Sequence, residues 1–476
     1  MAHTFEQSPG TAVSFSFSFT DLLAQAQAQA APLEDEGILS LALAVEPLDP
    51  LLALDFLPAA TNFRALWDGA PGLCLAATGV AQHLELSGPR RFELAQRFSQ
   101  LTLGRLGAGS QPGPPQARPR VWLAFSFFDG PLQEGPQPLP GVRAVLPRWQ
   151  LSRQGRQGWL RLQRRLGGEV TPRAVAEELW DQAQRLATLP PALPLAPAPQ
   201  VLSRSPWQGA YQRAMGQALE LVESGQLRKL VLAVRQQLLL DGPLDPRLLL
   251  EGLRQRQGGS CRFRWAQGEG GAALVGASPE RLLTVRQGQL RCDALAGTAS
   301  PGEPAEALLQ SVKDRHEHEL VVEAITAVLQ EQGLAPRRPR HPRLARHGPL
   351  RHLHTPITAE LRGQHPLALA EALHPTPAVA GLPRREAMGW LRSLEPFERG
   401  AYAAPIGWID SAGDAELRVA IRSGVLRGNQ LELTAGAGLV RGSQPEREMQ
   451  EVALKLEVLQ QQLNLRSNSA AAVVPG

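Results

Sequence analysis

Apolar and polar residues alternate with a period of two in two stretches of the chain's second half, and each stretch predicts a strand. In 229–240, Lys229, Val231, Ala233 and Arg235 share one face, while Leu230, Leu232 and Val234 share the other. In 417–422, Leu417, Val419 and Ile421 alternate with Arg418, Ala420 and Arg422. A helical period governs 303–332, begun by Pro304 and closed by Gly333 and Pro336, which predicts one helix carrying Lys313, Asp314 and Glu317 on a common face. The last helix sets Met449, Val452, Leu456 and Leu459 beside a polar stripe of Glu448, Glu451 and Lys455, with Ser443 and Glu446 at capping-box spacing. A helix over 209–224 and a buried strand over 121–128 are also expected.

Turn signals organise the strands into hairpins. A turn at Gln287-Gly288 places Glu280 opposite Leu295, close to Gly297-Thr298, and a turn at Gly428-Asn429 places Arg422 opposite Ala435, beside Gly436-Ala437-Gly438. Each hairpin thus brings a charged side chain to a glycine-containing backbone, an arrangement suited to holding a carboxylate. At the amino terminus, the alternation over 14–19 and the alanine repeat over 24–30 fit either an edge strand followed by a helix or a ragged tail. Proline- and glycine-rich segments at 107–119 and 189–199 punctuate the first half, the second being the better boundary.

Composition narrows the function classes. With 476 residues, 43% hydrophobic and a net charge of only +4, the chain is globular and shows no general nucleic-acid character. The basic stretch 337–351, interrupted by Pro339 and Pro342, is expected to be a solvated loop, with a phosphate-binding arm as the alternative. No apolar run reaches the ~18 residues of a membrane helix, and the first cationic side chain is Arg64, so no secretory signal is expected. Three cysteines, Cys74, Cys261 and Cys292, suit reduced cytoplasm and core positions. Of 49 basic residues only Lys229, Lys313 and Lys455 are lysine. A lysine kept against that background points to a need for an amine that can lose its proton, or for a compact point charge. His316 and His318 point different ways on their helix, which argues against zinc. The polar stripe fits solvated salt bridging, or the four acids Asp314, Glu317, Glu448 and Glu451 could instead bind a hard cation such as Mg²⁺.

In order along 206–463, Lys229-Leu-Val-Leu-Ala, Ser278-Pro-Glu280-Arg-Leu, Ala294-Leu-Ala-Gly297-Thr298, Lys313-Asp-Arg-His-Glu317-His, His374-Pro-Thr-Pro-Ala378-Val-Ala-Gly, Phe397-Glu-Arg-Gly-Ala-Tyr402, Ile421-Arg422 and Gly436-Ala-Gly438-Leu-Val with Glu448, Glu451 and Lys455 resemble the chorismate-utilising enzymes, most closely the isochorismate synthases. The resemblance implies an α+β fold with antiparallel sheets packed face to face and helices outside. It places the weaker first half in the same compact unit, and the chain is read as a low-complexity segment (1–35), that weaker half (36–200), a chorismate-binding catalytic region (201–465) and a flexible tail (466–476). It also implies a reversible isomerisation of chorismate, by water addition at C2 and loss of the C4 hydroxyl, that depends on Mg²⁺.

By the same resemblance Lys229 is the general base and Glu280 the general acid. Glu317 and Glu451 are magnesium ligands, with Asp314 and Glu448 behind them. Gly297, Thr298, His352, Ala378, Tyr402, Arg422, Gly438 and Lys455 hold substrate. Aminating relatives carry glutamine where this chain has Lys229, or a lysine where it has Ala296, so no amidotransferase subunit is expected. Water is too weak an acid to attack unaided and hydroxide a poor leaving group, so the reaction needs a neutral lysine and a protonated glutamate. A cytoplasmic monomer serving menaquinone or phylloquinone synthesis is the expectation, with no membrane or nucleic-acid partner. A salicylate synthase is the nearest alternative and a non-catalytic binding protein a distant one.

Overall fold

Every strand pairing in the computed structural model is antiparallel, and the ladders divide at the long strand Val142–Gln154. The structure describes residues 18–461 except 34–36, 60–62, 70, 107–113, 131–139, 191, 267–271, 300–301 and 303. One arm runs from Val142–Gln154 through Arg120–Phe125, Pro405–Asp410, Ala415–Val419, Arg281–Arg286, Gln289–Ala299 and Leu350–Glu360. The other runs through Cys74–Leu86, Arg64–Asp68, Cys261–Ala266, Ala273–Ser278, Ser423–Arg427, Gln430–Leu439 and Lys229–Leu240. Leu283 and Leu417 of the first arm and Leu232 and Leu433 of the second share one apolar core, so the expected α+β fold with packed antiparallel sheets holds.

Two chain segments belong to both arms. The first passes over at Pro279-Glu280, where proline has no N–H to continue a ladder. The second passes over at Ala420-Ile421-Arg422, where Arg422 adopts a left-handed φ of 52°. The crossings brace each other: Ala277 N donates to the Arg422 carbonyl and Val419 N to the Glu280 carbonyl, both at 3.1 Å. Gly276 permits this approach, because a Cβ there would lie 2.6 Å from Ser423 Cβ.

Several expectations need correction. The hairpin registers are as predicted, but their ladders end at Thr284–Arg291 and Gly424–Leu433, so Glu280 and Arg422 are crossover residues and not paired strand positions. The helix expected over 303–332 is two, Ala305–Gln310 and Val312–Glu331, because Ser311 leaves helical geometry and accepts from Asp314 N at 3.2 Å, capping a new start. The capping box is absent from the last helix, Pro445–Gln460: Ser443 Oγ instead accepts from Val440 N. The basic stretch is a solvated loop only over 338–342; beyond its prolines Arg343–His347 forms a strand that pairs along Leu350–His354. The alanine repeat forms the helix Phe19–Ala30, while 14–17 and 466–476 lie outside the described residues. The three cysteines are buried and free.

A buried ion pair ties the lysine-bearing strand Lys229–Leu240 to the loop after His374. Arg399 makes two bonds to Glu395, at 2.8 and 2.5 Å, and donates to the carbonyls of Val379 and Val231, each at 2.7 Å, while Glu395 accepts from Ala233 N at 2.8 Å. Removing one partner of such a pair strands a buried charge at a cost of about 3–5 kcal/mol. Glu395→Gln should therefore lower the urea midpoint substantially, and a midpoint equal to the wild type's would show that this pair does not hold the two walls together.

Candidate active site

The crossing of the two arms leaves a pocket of about 640 Å³, counted out to its mouth. Glu280, Ile421 and Arg422 enter it from the crossovers, and Leu295 to Thr298 from the strand Gln289–Ala299. Thr434, Gly436 and Gly438 form another wall from Gln430–Leu439, and Ala378 and Tyr402 come from the connecting loops. The helices Val312–Glu331 and Pro445–Gln460 pack on the two glycine-bearing strands and deliver Glu317, Glu451 and Lys455.

One end of the pocket is built to receive an anion. Arg422 is buried, forms no ion pair among the described residues, and donates from Nη2 to His352 Nε2 at 3.4 Å. His352 Nδ1 in turn donates to the Gly297 carbonyl at 3.1 Å, which fixes the tautomer. Burial and the adjacent Arg422 hold this imidazole well below the usual histidine range, so it stays neutral. A buried guanidinium without a counter-charge is costly unless an anion joins it.

Next to that end lie the acids and all three lysines, and Thr298 Oγ1, 3.4 Å from His352 Nδ1 and 3.0 Å from Glu451 Oε1, joins the two groups. Lys229 Nζ lies 3.0 Å from Glu317 Oε1, Lys313 Nζ lies 2.9 Å from Glu448 Oε1, and Lys455 Nζ lies 2.5 Å from Glu451 Oε1. Thr298 Oγ1 donates to Glu451 at 3.0 Å, and Lys455 also donates to the Gly436 carbonyl at 2.8 Å. Burial would raise Glu451, but Lys455, Lys313 and Thr298 outweigh it and hold the carboxyl down at about 2. Against the same burial, Lys229 and Lys313 keep Glu317 below its ordinary value. Both carboxylates are therefore ionised and face the pocket. Glu280 differs: burial lifts its carboxyl to about 7, against the opposing effects of Lys229 and of Thr376, whose hydroxyl lies 3.5 Å from Oε1. A proton donor and a set of carboxylates thus share one cavity.

Of the residues expected from sequence, Glu280, Gly297, Thr298, Glu317, His352, Ala378, Tyr402, Arg422, Gly438, Glu451 and Lys455 line the pocket. Asp314 and Glu448 lie behind the lining, within reach of Lys313. Lys229 is also behind it, only 1% exposed, beneath Gly438, where a Cβ would sit 3.0 Å from Lys229 Cε and 2.3 Å from Glu317 Oε1. Glycine at that point is what leaves the amine a path to the cavity. Sequence reasoning missed Thr434, although its parity with Gly436 and Gly438 marks it as a neighbour on the same face. Thr376 and Arg399 lie within the His374-Pro-Thr-Pro and Phe397-Glu-Arg motifs, but neither is given a role there, and Glu395 carries no signal.

The pocket acids fit a hard divalent cation. Among the described residues no three acids or histidines converge as a closed cluster, but Mg²⁺ needs only one or two carboxylates and completes its shell with water or substrate oxygens. Glu317 and Glu451, both lining the pocket and held ionised by neighbouring lysines, are the residues that would hold it.

The sequence profile described as "Chorismate binding enzyme" matches residues 23–464. The "Salicylate biosynthesis isochorismate synthase" of Pseudomonas aeruginosa is 34% identical over 447 residues, covering 91% of this chain and 92% of that protein. "Isochorismate synthase MenF" of Bacillus subtilis is 37% identical over 268 residues, 55% of this chain and 56% of that one. Among solved structures, the menaquinone-specific isochorismate synthase of Escherichia coli superposes with a TM-score of 0.74 at 26% identity, covering 93% of this chain and 99% of the other. Anthranilate synthase component I of Streptococcus pneumoniae, at 18% identity, covers 87% of this chain and 97% of its own with a TM-score of 0.66, a likeness of fold. With a matching profile over nearly its whole length and a full-length relative above 30% identity, the chain belongs to the chorismate binding enzymes.

Proposed function

We propose that this protein is an isochorismate synthase using Mg²⁺. The observation that carries the reading is the pairing, in one pocket, of an unneutralised buried guanidinium, Arg422, with a buried carboxyl, Glu280, poised near neutrality. Chorismate carries two carboxylates. Arg422 and the Gly297-Thr298 backbone suit one, and Lys455 and the Gly436 to Gly438 backbone suit the other, with Tyr402 beside the ring. When bound at Glu317 and Glu451, Mg²⁺ would offset the charge of a substrate carboxylate brought up against those acids.

The proton chemistry belongs to two side chains. Lys229, as a neutral amine, takes the proton from the water that adds at C2, and Glu280, as the acid, gives its proton to the hydroxyl leaving C4. In the structure Lys229 Nζ lies 3.0 Å from Glu317 Oε1, so the amine must part from that carboxylate to turn towards the water. Thr376 steadies Glu280 through Oε1. For the pathway, supply of a naphthoquinone is supported by the likeness to the menaquinone-specific enzyme. The full-length Pseudomonas aeruginosa relative favours a second reading, in which the isochorismate goes to salicylate.

Purified protein with chorismate and Mg²⁺ should form isochorismate reversibly, read by chromatography. Salicylate and pyruvate accumulating instead would replace the assignment with a salicylate synthase, and an inert folded protein would remove it. Because the acid form of Glu280 is lost as pH rises through about 7, kcat should decline on the alkaline side with a midpoint near that value. Glu280→Gln and Lys229→Arg should each lower kcat by roughly 10²–10⁴-fold while chorismate still binds. A Lys229→Arg enzyme with near-normal turnover and only a raised KM would make Lys229 a carboxylate anchor and not the base.

A further inference from the structure

All three lysines of a chain that otherwise uses arginine converge on the same four acids, and one of them has no part in the chemistry above. Lys313 lies 2.9 Å from Glu448, 3.5 Å from Glu317 and 3.8 Å from Asp314, so a single ammonium bridges carboxylates of the two facing helices. We infer that Lys313 is a displaceable stand-in for the divalent cation: it holds the acids together before Mg²⁺ arrives and swings away when Mg²⁺ takes Glu317. This inference rests on the cation site proposed at Glu317 and Glu451 and assigns it a residue that sets its affinity.

Three observations support it. First, without Lys313 the two helices would press Asp314, Glu317, Glu448 and Glu451 towards one another with only Lys229 and Lys455 to offset them, and each of those amines already serves one acid. Second, the lysines differ in exposure: the side chains of Lys229 and Lys455 are 1% and 15% exposed, whereas that of Lys313 is 26% exposed. Lys313 is the most exposed of the three, and its reach to Glu448, behind the lining, gives it somewhere to rest after letting go of Glu317. Third, the residue type suits exchange. An ammonium is a compact charge on a flexible stem, while a guanidinium would lock two carboxylates in a planar fork that a cation could not easily open. Lys313 therefore acts as a positioning residue and touches neither substrate nor the reacting atoms.

The test is calorimetric titration of Mg²⁺ alone into chorismate-free wild type, Lys313→Met and Lys313→Arg, with thermal unfolding in chelator as a second readout. Displacement predicts that the methionine variant binds Mg²⁺ about tenfold more tightly than wild type, since no resident charge has to leave. In chelator the same variant should melt lower than wild type and recover more on adding Mg²⁺. The arginine variant, with charge kept but locked in place, should bind Mg²⁺ more weakly than wild type. A simple long-range charge effect would leave Lys313→Arg equal to wild type, and that result overturns the proposal even if Lys313→Met folds poorly. Equal Mg²⁺ affinity in all three proteins overturns it too while leaving the cation site standing, whereas no Mg²⁺ binding by any of them removes the site and the proposal together.

Discussion

The structure depends on one constraint, that two strands change sheets at the same place. A segment leaving one arm at Pro279 and another leaving at Ala420 can pass only if each satisfies the other's backbone, and the Ala277–Arg422 and Val419–Glu280 hydrogen bonds do so. The residues at the crossings cannot be ordinary strand residues. Their side chains are turned into the gap between the arms, which is why a buried acid and a buried guanidinium meet there with neither fully satisfied. The strained φ of Arg422 belongs to the same constraint, held by the crossing that surrounds it.

Around that crossing the charges are graded. The guanidinium end is held neutral apart from Arg422 itself, because His352 is kept uncharged and the Gly297 carbonyl fixes its tautomer. Beyond Thr298, which links His352 to Glu451, ammonium groups and carboxylates are packed in near balance, so that small displacements change which acid is free. Glu280 is governed mainly by burial and keeps its proton to about neutrality. On the proposed function, a dianionic substrate beside these acids would need further positive charge, which would link its binding to that of a divalent cation.

Much of the site was legible because its chemistry falls on short, regular elements. Lys229 follows from a strand period and from lysine scarcity, and the acids follow from helical spacing; both survive because they depend only on local geometry. The pairing of Glu280 with Leu295 and of Arg422 with Ala435 was extrapolated from correct turn registers and failed beyond Thr284 and Gly424. Alternation in 417–422 continues straight through a change of sheet, so no local pattern marks the crossover. The break at Ser311 and the strand Arg343–His347 were hidden for related reasons: a cap that begins a second helix inside one apolar period, and an edge supplied by Leu350–His354. Thr376 reaches Glu280, and the Arg399–Glu395 pair, itself at i, i+4, reaches Val231 and Ala233, across long separations that spacing cannot encode.

The central claim is that this pocket activates water against chorismate, with the new hydroxyl coming from solvent. The most direct measurement is to run the folded protein with chorismate and Mg²⁺ in ¹⁸O-enriched water and determine the mass of the isochorismate formed. The account predicts one heavy oxygen in the product, and, because the reaction reverses, gradual entry of heavy oxygen into the recovered chorismate. Isochorismate formed without heavy oxygen, its hydroxyl having moved within the molecule, would contradict the water-addition mechanism and with it the roles of Lys229 and Glu280.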